Sequence, residues 1–289
     1  MPERKNTYAV IGDPVEHSLS PLIHNYIYQL LDLPYSYQKM KVGEKELKKF
    51  INKCRKDNIA GFNVTIPHKV TIIPFLDEID KQAELTGAVN TVKKENSVLK
   101  GFNTDVSGCV YALQRSSWEQ TGKVVILGAG GACRAALVAL TTFSPNSVYI
   151  FNRSLQKAVE LKQKFFDKVK FDIYAENIKF QNTEKQFSDT SLLINTTPVG
   201  MWPDKQVSPV PDPDMIPEHT TVFDMVPNPV YTKLLEQAKL KGVEIISGVS
   251  MLISQAISAQ EIWLKQKLHG QLFDTIWRYV TKNMSIQNE

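Results

Sequence analysis

The stretch KVVILGAGGACRAAL, Lys123 to Leu137, constrains the fold of this chain more than any other. A short β-branched run passes directly into a glycine-rich turn and then into a helical pattern. Strand, glycine turn and helix start in that order form the local context in which a dinucleotide pyrophosphate is held, because the helix N-terminus offers unpaired N–H groups and the positive end of its dipole. Gly128 suits the tight turn, and Gly130 and Gly131 let a backbone approach a phosphate, with Ala129 and Ala132 between and after them. The next small position holds Cys133 where Gly or Ala is usual. On this motif alone, a tight βα turn in a flavodoxin-like fold without a nucleotide stays open.

The rest of the chain supports an α/β architecture. Before residue 106, strand-like YAVIG, helix-like Pro21 to Leu33, strand-like YSYQKMKV and helical Lys45 to Asp57 alternate. That alternation predicts an N-terminal α/β domain with a mainly parallel sheet. AVNTVKKENSVLKGFN reads as two strands around a polar turn at Lys94 to Asn96. After a helix over Val106 to Leu113 and the linker SSWEQTGK, the runs KVVIL, VYIFN, FDIY, LLINTT, TVFDM and VEIIS read as a second βα series, expected to be a Rossmann-type dinucleotide-binding domain. A domain boundary is expected near residue 106. From Ser250 onward, Leu252, Ile253, Ala256, Ile257, Ile262 and Trp263 recur at helical spacing, as expected of helices that pack back on the first domain.

Composition narrows the function classes. With 289 residues, 43% hydrophobic and 22% charged, the chain is long enough for two packed domains. Its 34 basic and 30 acidic residues give only +4, scattered without a basic run, so no nucleic-acid partner is expected. Cys54, Cys109 and Cys133 match no metal spacing, and with no secretory signal they fit a reducing cytoplasm. The longest apolar stretch, Val124 to Leu140, contains Arg134 and several glycines, so no membrane segment is expected.

The end of the second Rossmann strand, VYIFNRS, bears on the cofactor. An NAD-binding site usually places a carboxylate there for the ribose 2′-OH. Asn152, Arg153 and Ser154 stand there instead, with Lys157 on the following helix. A guanidinium pairs with a 2′-phosphate that a carboxylate would repel, which favours NADP. An Arg and a Lys that merely open a solvated helix are the plainer alternative. LLINTTPVGM brings Thr196 and Pro198 to what should be the ligand-binding carboxyl edge of the sheet.

Two look-alike phrases point to chemistry. GFNVTIPHK ends on Lys69 and GFNTD on Asp105, so related turns deliver an ammonium and a carboxylate. Carbonyl reduction by hydride needs a positioned proton donor. Lys69 beside Asp105 fits that role, although a lone lysine is also a common surface charge and Asp105 also reads as a helix N-cap. His17, His24 and His68 compete for it; no histidine pair has a metal spacing, so no metal is expected. Ser18 and Ser20, two apart in HSLSP, present hydroxyls on one side of an extended loop, while Ser20 before Pro21 also reads as a helix cap.

With HSLSPLIHN, GFNVTIPHK, GAVNT, GFNTD, GAGGACRAAL, NRS, NTTPVGM and GVSMLISQA in this order, the chain resembles the shikimate dehydrogenase family from about Tyr8 to Trp263. The resemblance implies reversible, NADP-dependent reduction of 3-dehydroshikimate to shikimate, on the route to aromatic amino acids. It implies a substrate-binding and catalytic domain over 1–105, an NADP-binding Rossmann domain over 106–247, and C-terminal helices over 248–289. Lys69 and Asp105 would be the catalytic pair. Ser18 and Ser20 would hold the substrate carboxylate, and Thr65, Asn90 and Gln255 would join the pair around the ring hydroxyls. The cofactor would take Gly128, Ala129, Gly130, Gly131 and Ala132, with Asn152, Arg153, Ser154 and Lys157 at the adenosine phosphate, Thr196 nearby, and Gly248 and Met251 towards the nicotinamide.

Two positions depart from the family pattern. DMVPNP carries Pro227 where a tyrosine is usual, leaving Tyr231 as an alternative hydroxyl, and Gln260 stands in place of a phenylalanine. Both bear on the ring substrate, so a quinate or quinate/shikimate dehydrogenase is the nearest alternative. A non-catalytic nucleotide-binding protein on the same scaffold is the more distant one. The expected partners are small molecules only, in a monomer or homodimer.

Overall fold

A computed structural model describes residues 6–178, 187–268 and 271–287, so the extreme ends of the expected domains, 1–5 and 288–289, lie outside the described residues. The chain divides into two compact units, Met1–Ser107 with Ile253–Lys282, and Gly108–Leu252 with Asn283–Glu289.

The first unit is built on a six-stranded sheet in the order β2-β1-β3-β5-β6-β4. Its strands are β1 (Thr7–Gly12), β2 (Ser36–Lys41), β3 (Ile59–Val64), β4 (Glu78–Ile79), β5 (Thr91–Glu95) and β6 (Val98–Phe102). The β2–β1, β1–β3 and β4–β6 pairs are parallel. The β3–β5 and β5–β6 pairs are antiparallel. A mainly parallel sheet with a hairpin inserted results. The hairpin turn is Asn96 and Ser97, with Lys94 and Glu95 still in β5, and Asn96 takes a φ of 56° that asparagine tolerates well.

Strand periodicity explains why this sheet is covered on both faces. Ala9 and Ile11 of β1 join Phe62, Val64 and α2 (Leu47–Cys54) on one side. Tyr8 and Val10 point the other way, into a cluster with Tyr28 of α1 (Ser20–Leu30) and Ala259 and Trp263 of a C-terminal helix. Helix α1 ends earlier than its apolar pattern suggests because Asp32 adopts a φ of 50° just beyond it.

The second unit carries a six-stranded sheet in the order β12-β11-β10-β7-β8-β9. These are β7 (Lys123–Leu127), β8 (Ser147–Asn152), β9 (Asp172–Asn177), β10 (Thr190–Asn195), β11 (Thr221–Asp224) and β12 (Ile245–Ser247). All neighbours pair in parallel. Counted from β7 the order reverses between its first and fourth strands, the Rossmann arrangement, in which ligands sit at the carboxyl ends beside the switch point. The helices that position a site are α3 (His68–Thr71), α4 (Lys81–Thr86) and α5 (Thr104–Gln114), then α6 (Gly131–Leu140) and α7 (Leu155–Phe165). They are followed by α8 (Lys233–Leu240), α9 (Gly248–Leu264) and α10 (Gln271–Gln287). Among the described residues no helix is long and apolar enough to cross a membrane, and no group of side chains is arranged to hold a metal ion.

Candidate active site

The carboxyl ends of β1 and β3 set the first cluster. Gly12 closes β1 against the turn after β3: a Cβ there would stand 2.4 Å from Thr65 Cγ2 and 2.8 Å from the Ile66 carbonyl oxygen. Only glycine allows that approach. The Thr65 N–H donates to Ile11 O at 2.9 Å and the Thr65 carbonyl accepts from His68 N at 2.9 Å, so the turn delivers α3 with Lys69 in its first half.

Lys69 Nζ lies 2.6 Å from Asp105 Oδ2. The lysine side chain is 30% exposed and the aspartate 14%, so the pair is partly withdrawn from solvent and still reachable. Asp105 does not cap its helix. Asn103 does so, its Oδ1 accepting from the N–H groups of Asp105 at 3.1 Å and Val106 at 3.4 Å. The carboxylate is thereby left to side chains, and its Oδ1 accepts from Asn90 Nδ2 at 2.9 Å. Asn90 also reaches Thr104 Oγ1 at 3.0 Å and Gln255 Oε1 at 3.5 Å, and Thr104 Oγ1 donates to Gln255 Oε1 at 3.3 Å. Asn90 and Gln255 are both buried.

Ser18 Oγ donates to Ser20 Oγ at 3.2 Å, so the two hydroxyls share one side of their loop. The cap position of α1 falls on Leu19 and no side chain caps it, which removes the capping role considered for Ser20. The histidines separate clearly. His68 is buried with Nε2 2.6 Å from Val42 O, His24 is buried beside Tyr37, and His17 is exposed. Burial pushes His24 down to about 3, so it stays neutral and is no general acid at neutral pH.

The second cluster lies at the switch point of the Rossmann sheet. Gly128 leaves β7 with a φ of 103°, and a Cβ there would meet Thr196 Oγ1 at 2.7 Å. Thr196 Oγ1 donates to Leu127 O at 2.7 Å, locking the end of β10 against the turn. Cβ atoms added at Gly130 or Gly131 would meet nothing within 4 Å. Those glycines therefore bare the N-terminus of α6 to a ligand, as a pyrophosphate requires. Cys133 is fully buried, filling the small position where helix meets sheet, and burial raises its thiol well above the usual range.

At the end of β8, Asn152 Nδ2 donates to Ser154 O at 2.9 Å, and Arg153, Ser154 and Lys157 are exposed around the start of α7. A cavity of about 350 Å³ beside them is lined by Ala129, Arg134, Lys157, Glu160, Leu161 and Lys164. Gly248 opens α9 in close contact with the chain after β11, where a Cβ would stand 2.5 Å from Val226 O, and Met251 is buried one turn on. Sequence reasoning missed Asp224. It is fully buried, and burial raises its carboxyl to about 6 against the opposing hydrogen bonds of Thr232, Val226 and Asn195. Asn195 Nδ2 donates to Asp224 Oδ1 at 2.9 Å while Asn195 Oδ1 accepts from Thr197 N at 3.0 Å, so this acid anchors the TTPVG turn. An aspartate closing an apolar strand was the available signal.

The shikimate dehydrogenase substrate-binding domain model matches residues 10–92, and the shikimate/quinate 5-dehydrogenase model matches residues 112–197. A shikimate dehydrogenase (NADP(+)) of Methanosphaera stadtmanae is 42% identical over 257 residues, covering 88% of this chain and 89% of that protein.

This chain belongs to the shikimate dehydrogenase family.

A crystal structure of a shikimate dehydrogenase in complex with NADP+ superposes with a TM-score of 0.87 at 35% identity, covering 97% of this chain and 96% of the other. The Thermus thermophilus shikimate 5-dehydrogenase in complex with NADP(H) and shikimate gives 0.83 at 32% identity, covering 95% and 99%. The α/β fold with its two mainly parallel sheets is thus the family's, a substrate-binding domain followed by a Rossmann domain. Against that family the two departures are placed as follows. Pro227 precedes the Asn228-Pro229 step at the end of β11, and Tyr231 is half exposed with Lys239 Nζ 5.7 Å from its ring centroid. Gln260 is fully buried in the first unit, its Nε2 2.7 Å from His24 Nδ1.

Proposed function

We propose that this chain is an NADP-dependent shikimate dehydrogenase, reversibly reducing 3-dehydroshikimate to shikimate on the route to aromatic amino acids, with Lys69 and Asp105 as its catalytic pair. The observation that carries the reading is the Lys69–Asp105 contact of 2.6 Å, with Asn90 holding the other carboxylate oxygen. In the oxidative direction the reacting hydroxyl passes its proton to this pair as the ring carbon loses hydride. In the reductive direction Lys69 returns the proton to the carbonyl oxygen, where negative charge would otherwise develop. The bound nicotinamide supplies or takes up the hydride.

Ser18 and Ser20 receive the substrate carboxylate, and Thr65, Asn90 and Gln255 orient the ring hydroxyls. The residues around Gly128 fit a dinucleotide, because the open faces of Gly130 and Gly131 bare the N-terminus of α6. Gly128 to Ala132 hold the pyrophosphate, Asn152, Arg153, Ser154 and Lys157 take the adenosine 2′-phosphate, and Thr196, Gly248 and Met251 flank the rest of the cofactor. The enzyme works in the cytoplasm as a monomer or homodimer, in keeping with three buried free thiols.

The deciding experiment follows reduced-nicotinamide absorbance with shikimate or quinate, each with NADP+ or NAD+. Turnover mainly with shikimate and NADP+ is expected. Turnover only with quinate would assign this chain to the sister reaction, and no turnover with either would overturn the enzymatic reading.

A further inference from the structure

Behind the catalytic pair runs a line of buried polar side chains of which the proposed function uses only the last. Asp105 Oδ1 accepts from Asn90 Nδ2 at 2.9 Å, and Asn90 Oδ1 accepts from Thr91 Oγ1 at 3.1 Å. Thr91 Oγ1 accepts in turn from Asn63 Nδ2 at 2.9 Å, and Asn63 Oδ1 accepts from the Tyr37 hydroxyl at 2.6 Å. The two asparagine amides donate towards the carboxylate, while Thr91 Oγ1 also lies 3.0 Å from Thr104 Oγ1, where either oxygen can donate. The direction is set by Asn63, whose Nδ2 also lies 3.1 Å from the Asn90 backbone carbonyl, a group that only accepts. The amide nitrogen must face that carbonyl, so its oxygen must face Tyr37. None of Tyr37, Asn63, Asn90 and Thr91 is more than 5% exposed. A chain of this kind in a dry interior polarises along its length.

Two further residues hold the head of the line. The Tyr37 ring stacks on His24 with centroids 4.2 Å apart and planes within 7°. His24 Nδ1 lies 2.7 Å from Gln260 Nε2, which ties the ring under Tyr37 to the C-terminal helix. His24 and Gln260 are fully buried. Burial keeps this imidazole neutral across the working pH range. Gln260 Oε1 has no hydrogen-bond partner among the described residues. An amide used only to fill the core would be a poor choice here.

We infer that Tyr37, held by His24 and Gln260, is a positioning residue for the catalytic carboxylate. Its hydroxyl donates to Asn63 Oδ1 at the head of the Asn63–Thr91–Asn90 line, whose far end presents an N–H to one oxygen of Asp105 and leaves the other for Lys69. The inference rests on Lys69 and Asp105 being the catalytic pair. It makes Gln260, a position where the family pattern differs, part of the machinery that orients the site.

The test compares Tyr37→Phe, Gln260→Met and the double variant, with kcat, KM for shikimate, KM for NADP+ and Tm measured for each and Lys69→Ala assayed alongside. Tyr37→Phe keeps the ring and its stack and deletes only the hydroxyl. It is expected to lower kcat about tenfold with KM for NADP+ unchanged, as misplacing a proton-transfer group does. Gln260→Met is expected to lower kcat roughly threefold. In the double variant the loss equals that of Tyr37→Phe alone, because both changes act through one hydroxyl. A purely structural role would move Tm and leave kcat alone. Wild-type kcat in Tyr37→Phe with an inactive Lys69→Ala overturns the positioning line, and additive losses in the double variant overturn the part given to Gln260. An active Lys69→Ala overturns instead the catalytic pair on which the inference stands.

Discussion

Replacing Asp105 by asparagine tests the site at its most exposed assumption. The two carboxylate oxygens face two groups that only donate, Lys69 Nζ at 2.6 Å and Asn90 Nδ2 at 2.9 Å. An asparagine has one oxygen, so either orientation turns an N–H2 group against a donor. Facing Lys69, it removes the ion pair. Facing Asn90, it forces that amide to turn, and Asn90 Oδ1 is held by the Thr104 N–H at 2.7 Å. A charge-assisted hydrogen bond contributes about 1.5–3 kcal/mol. Unit charges near a protein surface attract by about 4 kcal/mol at ~4 Å, less where water reaches them. With Lys69 30% exposed, a net loss of about 3–4 kcal/mol in the transition state is reasonable. At about 1.4 kcal/mol per decade that is a roughly 10²- to 10³-fold fall in kcat. The assay is the initial rate of nicotinamide reduction at saturating shikimate and NADP+. Because Asn103 caps α5, Tm should hardly move. A folded Asp105→Asn variant with kcat within about fivefold of wild type would refute the reasoning.

Three further outcomes are expected. Arg153→Glu should raise KM for NADP+ by at least about tenfold while affecting NAD+ far less, since a carboxylate there repels a 2′-phosphate; equal changes for both cofactors would remove Arg153 from the phosphate site. Gly128→Ala should destabilise the protein by about 1–3 kcal/mol, because its φ of 103° and a Cβ 2.7 Å from Thr196 Oγ1 leave alanine no unstrained place, and an unchanged Tm would contradict that. Asp224→Asn should change the pH dependence of stability. With its carboxyl raised to about 6 by burial, the native state binds this proton more tightly than the unfolded chain, so the stabilisation is complete below about pH 4 and is lost as pH rises through 6. Subtracting the Tm profile of the variant from that of the wild type should expose that decline, worth at most about 3 kcal/mol because each pH unit between the folded and unfolded titrations corresponds to about 1.4 kcal/mol; parallel profiles would show that Asp224 does not titrate there.

Much of the second unit is legible without coordinates. Parallel strands covered on both sides are continuous apolar runs, and KVVIL, VYIFN, LLINTT and TVFDM each coincide with a strand. The first unit is less transparent because its sheet mixes directions and includes β4, two residues long, whose pairing with Lys100 and Gly101 leaves no periodic mark. The repeated GFN phrase pointed to the delivery of Lys69 and Asp105, yet its shared asparagines carry as much of the design. Asn63 joins the line to the carboxylate, and Asn103 caps α5 and reaches Thr86 Oγ1 at 3.0 Å and Ala88 O at 2.9 Å.

By itself, then, the amino-acid order determined what local rules govern: where strands yield to glycine turns, which helix N-terminus is bared for an anion, and which charges follow the look-alike turns. Each of these depends on neighbours a few residues apart, through backbone sterics and periodic burial. Only the tertiary structure decided that Asn103 rather than Asp105 caps α5, that Asp224 is a buried acid, and that Gln260 meets His24 across 236 positions of chain. Those roles arise from burial and from hydrogen-bond partners distant in sequence, and a polar residue's spacing carries no record of which distant donor will face it once water is gone.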